Sequence, residues 1–147
     1  MLLDASTDAT SRGRIISALG HAESPALSER ALDLALDDKL RLSEISQILG
    51  VQFRNPRTRD RAWRWLKDNF DPLVSRMGRA QAGKTPWFAS SMCTDEAAKD
   101  VGAFFEPRVS ALPGAPRNLA AAVEAIELCA AKAEAHRASV ERTFTRL

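Results

Sequence analysis

The chain has 147 residues, which is the size of one domain with a core of its own. Its net charge of +2 is too small to indicate nucleic acid or a membrane surface as a partner. No apolar run approaches the roughly 18–20 residues of a membrane span. The first residues also lack the basic start and apolar core of a signal peptide. We therefore expect no contact with a membrane.

Hydrophobic spacing predicts helices along the first half of the chain. The first helix covers about residues 7–20, and the second runs from the Ser-Pro pair at residue 24 to about residue 38. A short third helix is capped by Ser43 and ends at Gly50.

Residues 54–77 form the most regular part of the pattern. Asn55-Pro56 and Asp71-Pro72 each predict a helix start, with a capping side chain before a proline that has no N–H to lose. Between them, one face is apolar and the opposite face is basic, which predicts an αα-hairpin built on an amphipathic helix. The apolar face holds Ala62, Trp63, Leu66 and Phe70, Trp65 covers a second neighbour, and the basic face holds Arg57, Arg61 and Arg64.

The second half begins with a predicted loop at residues 79–85 and a short helix at 86–91 that buries Trp87 and Phe88. Thr94 then starts a helix that ends at Pro107, and LPGAP at 112–116 forms a loop. The longest helix runs from residue 118 to 144, about 40 Å at 1.5 Å per residue. Its apolar stripe has 4,3 spacing and comprises Leu119, Val123, Ile126, Ala130, Ala133, Val140 and Phe144.

No segment alternates with a period of two, so the predicted class is all-α. The helices come in short pairs with caps and prolines at the joints. This arrangement favours a solenoid of stacked antiparallel helix pairs over a four-helix bundle, whose helices are of similar length.

The sequence offers little catalytic chemistry. His21 and His136 have no histidine or cysteine at ligand spacing, and H-E-x-x-H is absent. No glycine-rich phosphate loop precedes a helix. Cys93 and Cys129 lie far apart without a CxxC motif, so free thiols in a reducing, cytoplasmic setting are expected, with one disulfide as the alternative.

A basic cluster surrounds two tryptophans, Trp63 and Trp65. Its bases are Arg54, Arg57, Arg59, Arg61, Arg64 and Lys67. One interpretation is a nucleic-acid surface with stacking aromatics. We prefer the solvated face of an amphipathic helix, because Asp60 and Asp68 are spaced to pair with Arg64.

Three blocks follow one another from residue 54. They are RNP…R…AWRWLKDNFDPLVSRM, a Thr-Asp-Glu helix start with DVGAFF, and RNLAAAVEAIELCAAKAEAHRASVERTF. In this order they resemble the C-terminal helical domain of zinc aminopeptidases of the aminopeptidase N type, including the puromycin-sensitive and endoplasmic-reticulum enzymes. The resemblance spans about residues 54–147, with weaker agreement upstream.

This resemblance implies a HEAT-like α-solenoid that lies C-terminal to a catalytic domain and closes over the active-site chamber. The zinc ligands of such enzymes belong to an upstream domain. We therefore expect one helical domain over residues 1–147, the C-terminal fragment of a larger aminopeptidase, without catalytic residues, metal or cofactor of its own. Its expected partners are the catalytic domain of the same polypeptide and the C-terminal side of a peptide substrate, but not nucleic acid or membrane.

The resemblance also implies one substrate-binding residue. An arginine before Asn-Pro lines the internal cavity in some relatives, and Arg54 holds that position. A guanidinium there is able to bind a peptide carboxylate bidentately; the alternatives are a helix cap or a solvated side chain. A second position that is basic in some relatives corresponds to His21. The rival function is a free-standing helical-repeat adaptor that binds a protein partner on its concave face.

Overall fold

The computed structural model describes residues 2–145, apart from the side chains of residues 2 and 4. Every regular element within these residues is helical, which confirms the predicted all-α class. The predicted domain limits at residues 1 and 147 lie outside the described residues. The α-helices are α1 (Leu2–Ala5), α2 (Ala9–Gly20), α3 (Pro25–Asp33), α4 (Leu42–Arg54), α5 (Arg59–Asp68), α6 (Phe70–Met77), α7 (Arg79–Ala82), α8 (Asp95–Phe105) and α9 (Ala115–Phe144).

Shorter 3₁₀ turns lie at Leu34–Leu36, Thr85–Ser91 and Val109–Ala111. The chain divides into two compact units, Met1–Ala82 and Gly83–Leu147. Each unit buries its own apolar side chains, so each is described by itself. The stacked-pair solenoid and the single domain over residues 1–147 stay predictions. Among the described residues, no helix is long and apolar enough to cross a bilayer.

In the first unit, α4 lies at the centre and buries a continuous apolar face. Ile45, Ile48, Leu49 and Phe53 on this helix are at most 1% exposed. The neighbouring helix α5 packs the apolar face that the sequence predicts, since Ala62, Trp63, Leu66 and the following Phe70 are all buried. Burial of such side chains contributes about 25 cal/mol per Å² of apolar area.

A buried ion pair joins α2 to the start of α4. Arg12 donates from Nε and Nη2 to the two carboxylate oxygens of Glu44, each at 2.8 Å. The same guanidinium donates to the carbonyls of Leu3 and Lys39 at 2.6 and 2.8 Å. Glu44 also accepts from the backbone N–H of Arg41 at 2.8 Å, which closes the first turn of α4. The pair is therefore surrounded by hydrogen bonds, which a buried charge requires.

The second unit is built on the first half of α9. Thr94 caps α8 as predicted, because its Oγ1 accepts from the N–H of Ala97 at 3.1 Å. Gly114, with φ 76°, ends the preceding loop and allows α9 to begin at Ala115, three residues earlier than predicted. The side chains that α9 buries fully lie near its start, at Ala115, Leu119, Ala122 and Ile126. Residues 131–145 are all exposed.

The two cysteines form a disulfide, Cys93–Cys129, which ties the residue before the cap of α8 to α9. The expectation of free thiols was therefore wrong, and the alternative of one disulfide is correct. Sequence separation hid the pairing: the two positions are 36 apart along the chain, whereas their Cα atoms are 5.0 Å apart in space. Closing a loop of this length is expected to stabilise the fold by about 4 kcal/mol.

Several predicted boundaries were wrong for identifiable reasons. Gly50 does not end its helix, because α4 continues to Arg54 and Gly50 is buried within it, beneath the Arg54 guanidinium. Asn55 does not cap α5; it closes α4, and its Oδ1 accepts from the N–H of Arg57 in a turn before α5 begins at Arg59. Part of the predicted loop at residues 79–85 is the short helix α7. Trp87, predicted to be buried, is 52% exposed.

We predict that Arg12→Met destabilises the first unit by about 3–5 kcal/mol, because it leaves the Glu44 carboxylate buried without its cation. The hydrogen bonds from Arg12 hold the pKa of Glu44 below its ordinary value of 4.5. The pair therefore stabilises the fold above that pH and loses its effect as the pH falls through the lowered value. Urea unfolding of both chains at pH 7 and at acidic pH measures the difference in their free energies of unfolding.

The companion variant is Glu44→Gln, which leaves the buried Arg12 cation without its carboxylate but keeps its hydrogen bonds to the carbonyls of Leu3, Ser6 and Lys39. It should cost less than Arg12→Met at pH 7. Equal stability of the parent chain and Arg12→Met at pH 7 would contradict the prediction.

Candidate functional site

The predicted substrate-binding residue, Arg54, is the last residue of α4 and its side chain is exposed. Its guanidinium lies back along the helix over Gly50, where a Cβ would stand only 3.1 Å from Nη1. In the described part of the chain, no hydrogen bond or ion pair engages this guanidinium; only the Arg54 carbonyl accepts, from Nη2 of Arg59 at 3.5 Å. Arg54 therefore presents free donors to solvent and is not a helix cap.

A buried amide braces the helix end that carries Arg54. Gln52 is 0% exposed, and its Nε2 donates to the carbonyls of Gly20 and Ala22 at 2.6 and 3.0 Å. Its Oε1 accepts from Oγ of Ser28 at 2.6 Å. The connection between α2 and α3 is thus fastened to α4 two residues before Arg54. Because an unpaired buried amide is costly, these bonds hold the three segments in one arrangement.

The turn after Arg54 is fastened in the same way. Thr58 is fully buried, and its Oγ1 donates to the carbonyl of Gln52 at 2.7 Å. On the outside, Glu23 accepts from Nδ2 of Asn55 at 3.0 Å and from Nη1 of Arg57 at 2.8 Å. The hydrogen bonds from Asn55 and Arg57 lower the pKa of Glu23, so its carboxylate stays ionised at neutral pH. We call residues 52–58 with this brace the Arg54 corner.

The Arg54 corner combines two neutralised charges with one free charge. Arg57 is paired with Glu23, while the Arg54 guanidinium has no carboxylate partner among the described residues. A planar guanidinium with free N–H groups suits a carboxylate, which it meets through two parallel hydrogen bonds. The corner therefore offers one anion-binding group on a backbone fixed by buried bonds.

His21 lies at the end of α2, beside the same connection. Its Nδ1 is 2.7 Å from the carbonyl of Ser17, so the ring donates to its own helix end. The charge of His21 is close enough to Glu23 to contribute to the lowered pKa of that carboxyl. The structure thus places His21 near the Arg54 corner but gives no bond between the two side chains.

The basic cluster does not expose its tryptophans. Trp63 and Trp65 are 6% and 7% exposed, and Nε1 of Trp65 donates to Asp33 at 2.8 Å. Nζ of Lys67 lies 5.2 Å from the centroid of the Trp63 ring and covers it. Neither ring is placed to stack on a base, which removes the feature that favoured nucleic acid. The pairs predicted between Arg64 and its two aspartates are absent from the described residues.

The described residues contain no group of three or more His, Cys, Asp or Glu side chains that are close enough to hold a metal ion. Within these residues, the donors needed for a zinc site of the kind found in peptidases are therefore not assembled.

The chain also matches a known protein family. The family model described as ERAP1-like C-terminal domain matches residues 1–128. The chain belongs to this family. An ERAP1-like C-terminal domain is a domain of an aminopeptidase, so the predicted family is confirmed. The match includes the Arg54 corner and extends further upstream than the resemblance drawn from residues 54–147, but it ends before the exposed part of α9.

Sequence reasoning singled out Arg54 as a candidate but missed the residues that brace its helix end. Gln52 lies beyond Gly50, where the predicted third helix ends, so the prediction left it outside a helix. A glutamine on the apolar face of α4 was the available signal, because a buried amide needs partners from other segments.

We predict that Gln52→Ala destabilises the first unit by about 2–4 kcal/mol, since it leaves one hydroxyl and two carbonyls without their partner. Gln47→Ala is the matched control, because it removes an exposed glutamine of the same helix whose one bond is to the Gly13 carbonyl at 2.9 Å. That change should cost less than about 1 kcal/mol. Chemical denaturation measures the free energy of unfolding of both variants. Equal losses of stability would contradict the bracing role of Gln52.

Proposed function

We propose that this chain is the non-catalytic C-terminal domain of a zinc aminopeptidase. It packs on the catalytic domain of the same polypeptide and forms part of the wall of the chamber that holds the peptide. The zinc belongs to that catalytic domain. Membership of the ERAP1-like C-terminal domain family is the observation that carries the proposal.

The surface of the first unit supports packing on another domain. An open groove of about 580 Å³ lies along α2 and α3. It is lined by apolar side chains and by two basic and two acidic ones. Leu27 on this groove is 52% exposed, and Leu42 at the start of α4 is 54% exposed. An exposed leucine that lines a groove, as Leu27 does, is typical of a surface that meets a further protein domain.

Arg54 is the residue that we assign to substrate. Its free guanidinium fits the C-terminal carboxylate of a peptide, whose charge it meets through paired hydrogen bonds. The side chain is exposed and its backbone is braced by Gln52 and Thr58, so only the side chain needs ordering when the carboxylate binds. The contact positions the substrate and takes no part in the hydrolysis.

The compartment is also part of the proposal. The cytoplasm was expected from free thiols, but the Cys93–Cys129 disulfide gives a reason to prefer an oxidising compartment. We therefore propose that the parent enzyme works where disulfides persist.

The proposal predicts activity that depends on two parts. The zinc-containing upstream portion of the same gene is expressed and assayed on aminoacyl anilides and on peptides, with and without this chain. The chain alone should hydrolyse nothing, whereas its addition should raise or reshape peptide hydrolysis by the upstream portion. Absence of binding to that portion, together with unchanged activity, would favour a free-standing adaptor.

A second prediction concerns Arg54 in the assembled enzyme. Arg54→Ala should raise KM about 10-fold or more for peptides with a free C-terminal carboxylate, because a charge-assisted hydrogen bond contributes about 1.5–3 kcal/mol. The same peptides with an amidated C-terminus should show no such change. Arg54→Lys should restore part of the effect, since it keeps the charge and loses the bidentate geometry.

Arg14→Ala is the matched control, because Arg14 is an exposed arginine on α2 outside the Arg54 corner. It should leave both KM values unchanged. Equal effects of Arg54→Ala on carboxylate and amide peptides would remove Arg54 from the substrate contact and leave the domain assignment intact.

A further inference from the structure

An open groove of about 670 Å³ lies between α8 and α9 in the second unit. Its floor consists of small and medium apolar side chains and one glycine, Gly102. A Cβ on Gly102 would meet nothing within 4 Å, so the floor is open at the middle of α8. The apolar floor is formed by Ala98, Ala103, Leu119, Ala120 and Val123.

The rim of this groove is acidic. Glu106, Glu124 and Glu127 line it and are exposed, whereas Lys99 is the one base among its described lining residues. In the part of the chain that the structure describes, none of these three carboxylates takes part in a hydrogen bond or an ion pair. The groove therefore presents an apolar floor beside unpaired negative charge, on a chain whose net charge is +2.

We propose that the α8–α9 groove binds an amphipathic helix of a separate protein, with apolar residues on one face and Lys or Arg beside them. An apolar helix face in a hydrophobic groove is a common mode of recognition, anchored at positions i, i+3 or i+4, and i+7. Along α9 the lining runs from Pro116 to Glu127, which is about 16 Å, or three helical turns. A helix of about 12–15 residues fills that length.

The charge of the rim selects the occupant. Three carboxylates that lie beside an apolar floor attract a basic helix and repel an acidic one, and they also disfavour nucleic acid. A second copy of this chain that bound through the same groove would bring its own three glutamates against these, because a two-fold interface pairs identical surfaces. The basic helix α5 is no substitute, since its apolar face is already buried in the first unit.

The test uses the full 147-residue chain and two synthetic peptides. The basic peptide is a helix of about 15 residues with leucines at i, i+4 and i+7 and flanking lysines, and its twin carries glutamate in place of every lysine. At low salt we expect the basic peptide to bind at least about 10 times more tightly than the acidic one, and the difference should shrink as salt screens the charges.

Charge reversal identifies the site. The triple variant E106K/E124K/E127K should reverse the preference and bind the acidic peptide more tightly. The matched control, E96K/E134K/E141K, changes the net charge equally at exposed glutamates outside the groove lining and should keep the original preference. Equal binding of both peptides by the parent chain, or equal behaviour of the two triple variants, would overturn the proposal.

Blocking the floor provides a second, charge-independent test. Gly102→Trp fills the open space without a clash at its Cβ and should abolish binding of the basic peptide, whereas Gly102→Ala should preserve it. Circular dichroism checks that both variants stay helical. Unchanged binding in Gly102→Trp would overturn the proposal. So would self-association of the parent chain that Gly102→Trp abolishes in sedimentation, because the occupant would then be a second copy.

Discussion

Two buried polar side chains on α4 determine how the first unit is assembled. Glu44 and Gln52 stand eight positions apart, and each must find partners on other segments because burial removes water from it. Glu44 accepts from Arg12 of α2. Gln52 accepts from Ser28 and donates to the carbonyls of Gly20 and Ala22 at the end of α2. Apolar packing stabilises many arrangements of short helices, whereas these bonds are satisfied in one. The register of α2, α3 and α4 therefore depends on them.

The position of Arg54 is a consequence of this arrangement. Gln52 fixes the end of α4, and Thr58 bonds back to the Gln52 carbonyl, so the turn between them has little freedom. Glu23 neutralises Arg57 on the outer side of the turn, whereas the neighbouring guanidinium of Arg54 has no carboxylate partner in the part of the chain that the structure describes. Arg57 thus serves the structure, whereas Arg54 is available to bind a ligand. The two arginines differ because Glu23, which is distant in sequence, pairs with Arg57 and not with Arg54.

The sequence predicted what depends on local spacing. The all-α class, the apolar face of α5, the cap at Thr94 and the long last helix follow from periodicity and capping, and the structure has them. The missed contacts that join separate segments are long-range. Gln52 bonds across 32 residues to Gly20, and Cys93 pairs with Cys129, which no local pattern reveals. Arg54 itself was found by resemblance, since spacing alone gives it no special place.

The two surfaces assigned here have opposite charge requirements. The Arg54 corner presents a cation, for which we propose a carboxylate ligand, and the α8–α9 groove presents carboxylates, for which we propose a basic helix. A peptide terminus held by Arg54 gains nothing from the groove rim, and a lysine-rich helix is repelled by the corner. Each surface lies within its own unit and rests on its own residues. The binding of a basic helix therefore neither requires nor excludes a role in peptide hydrolysis, because loss of either function leaves the groups that perform the other unchanged.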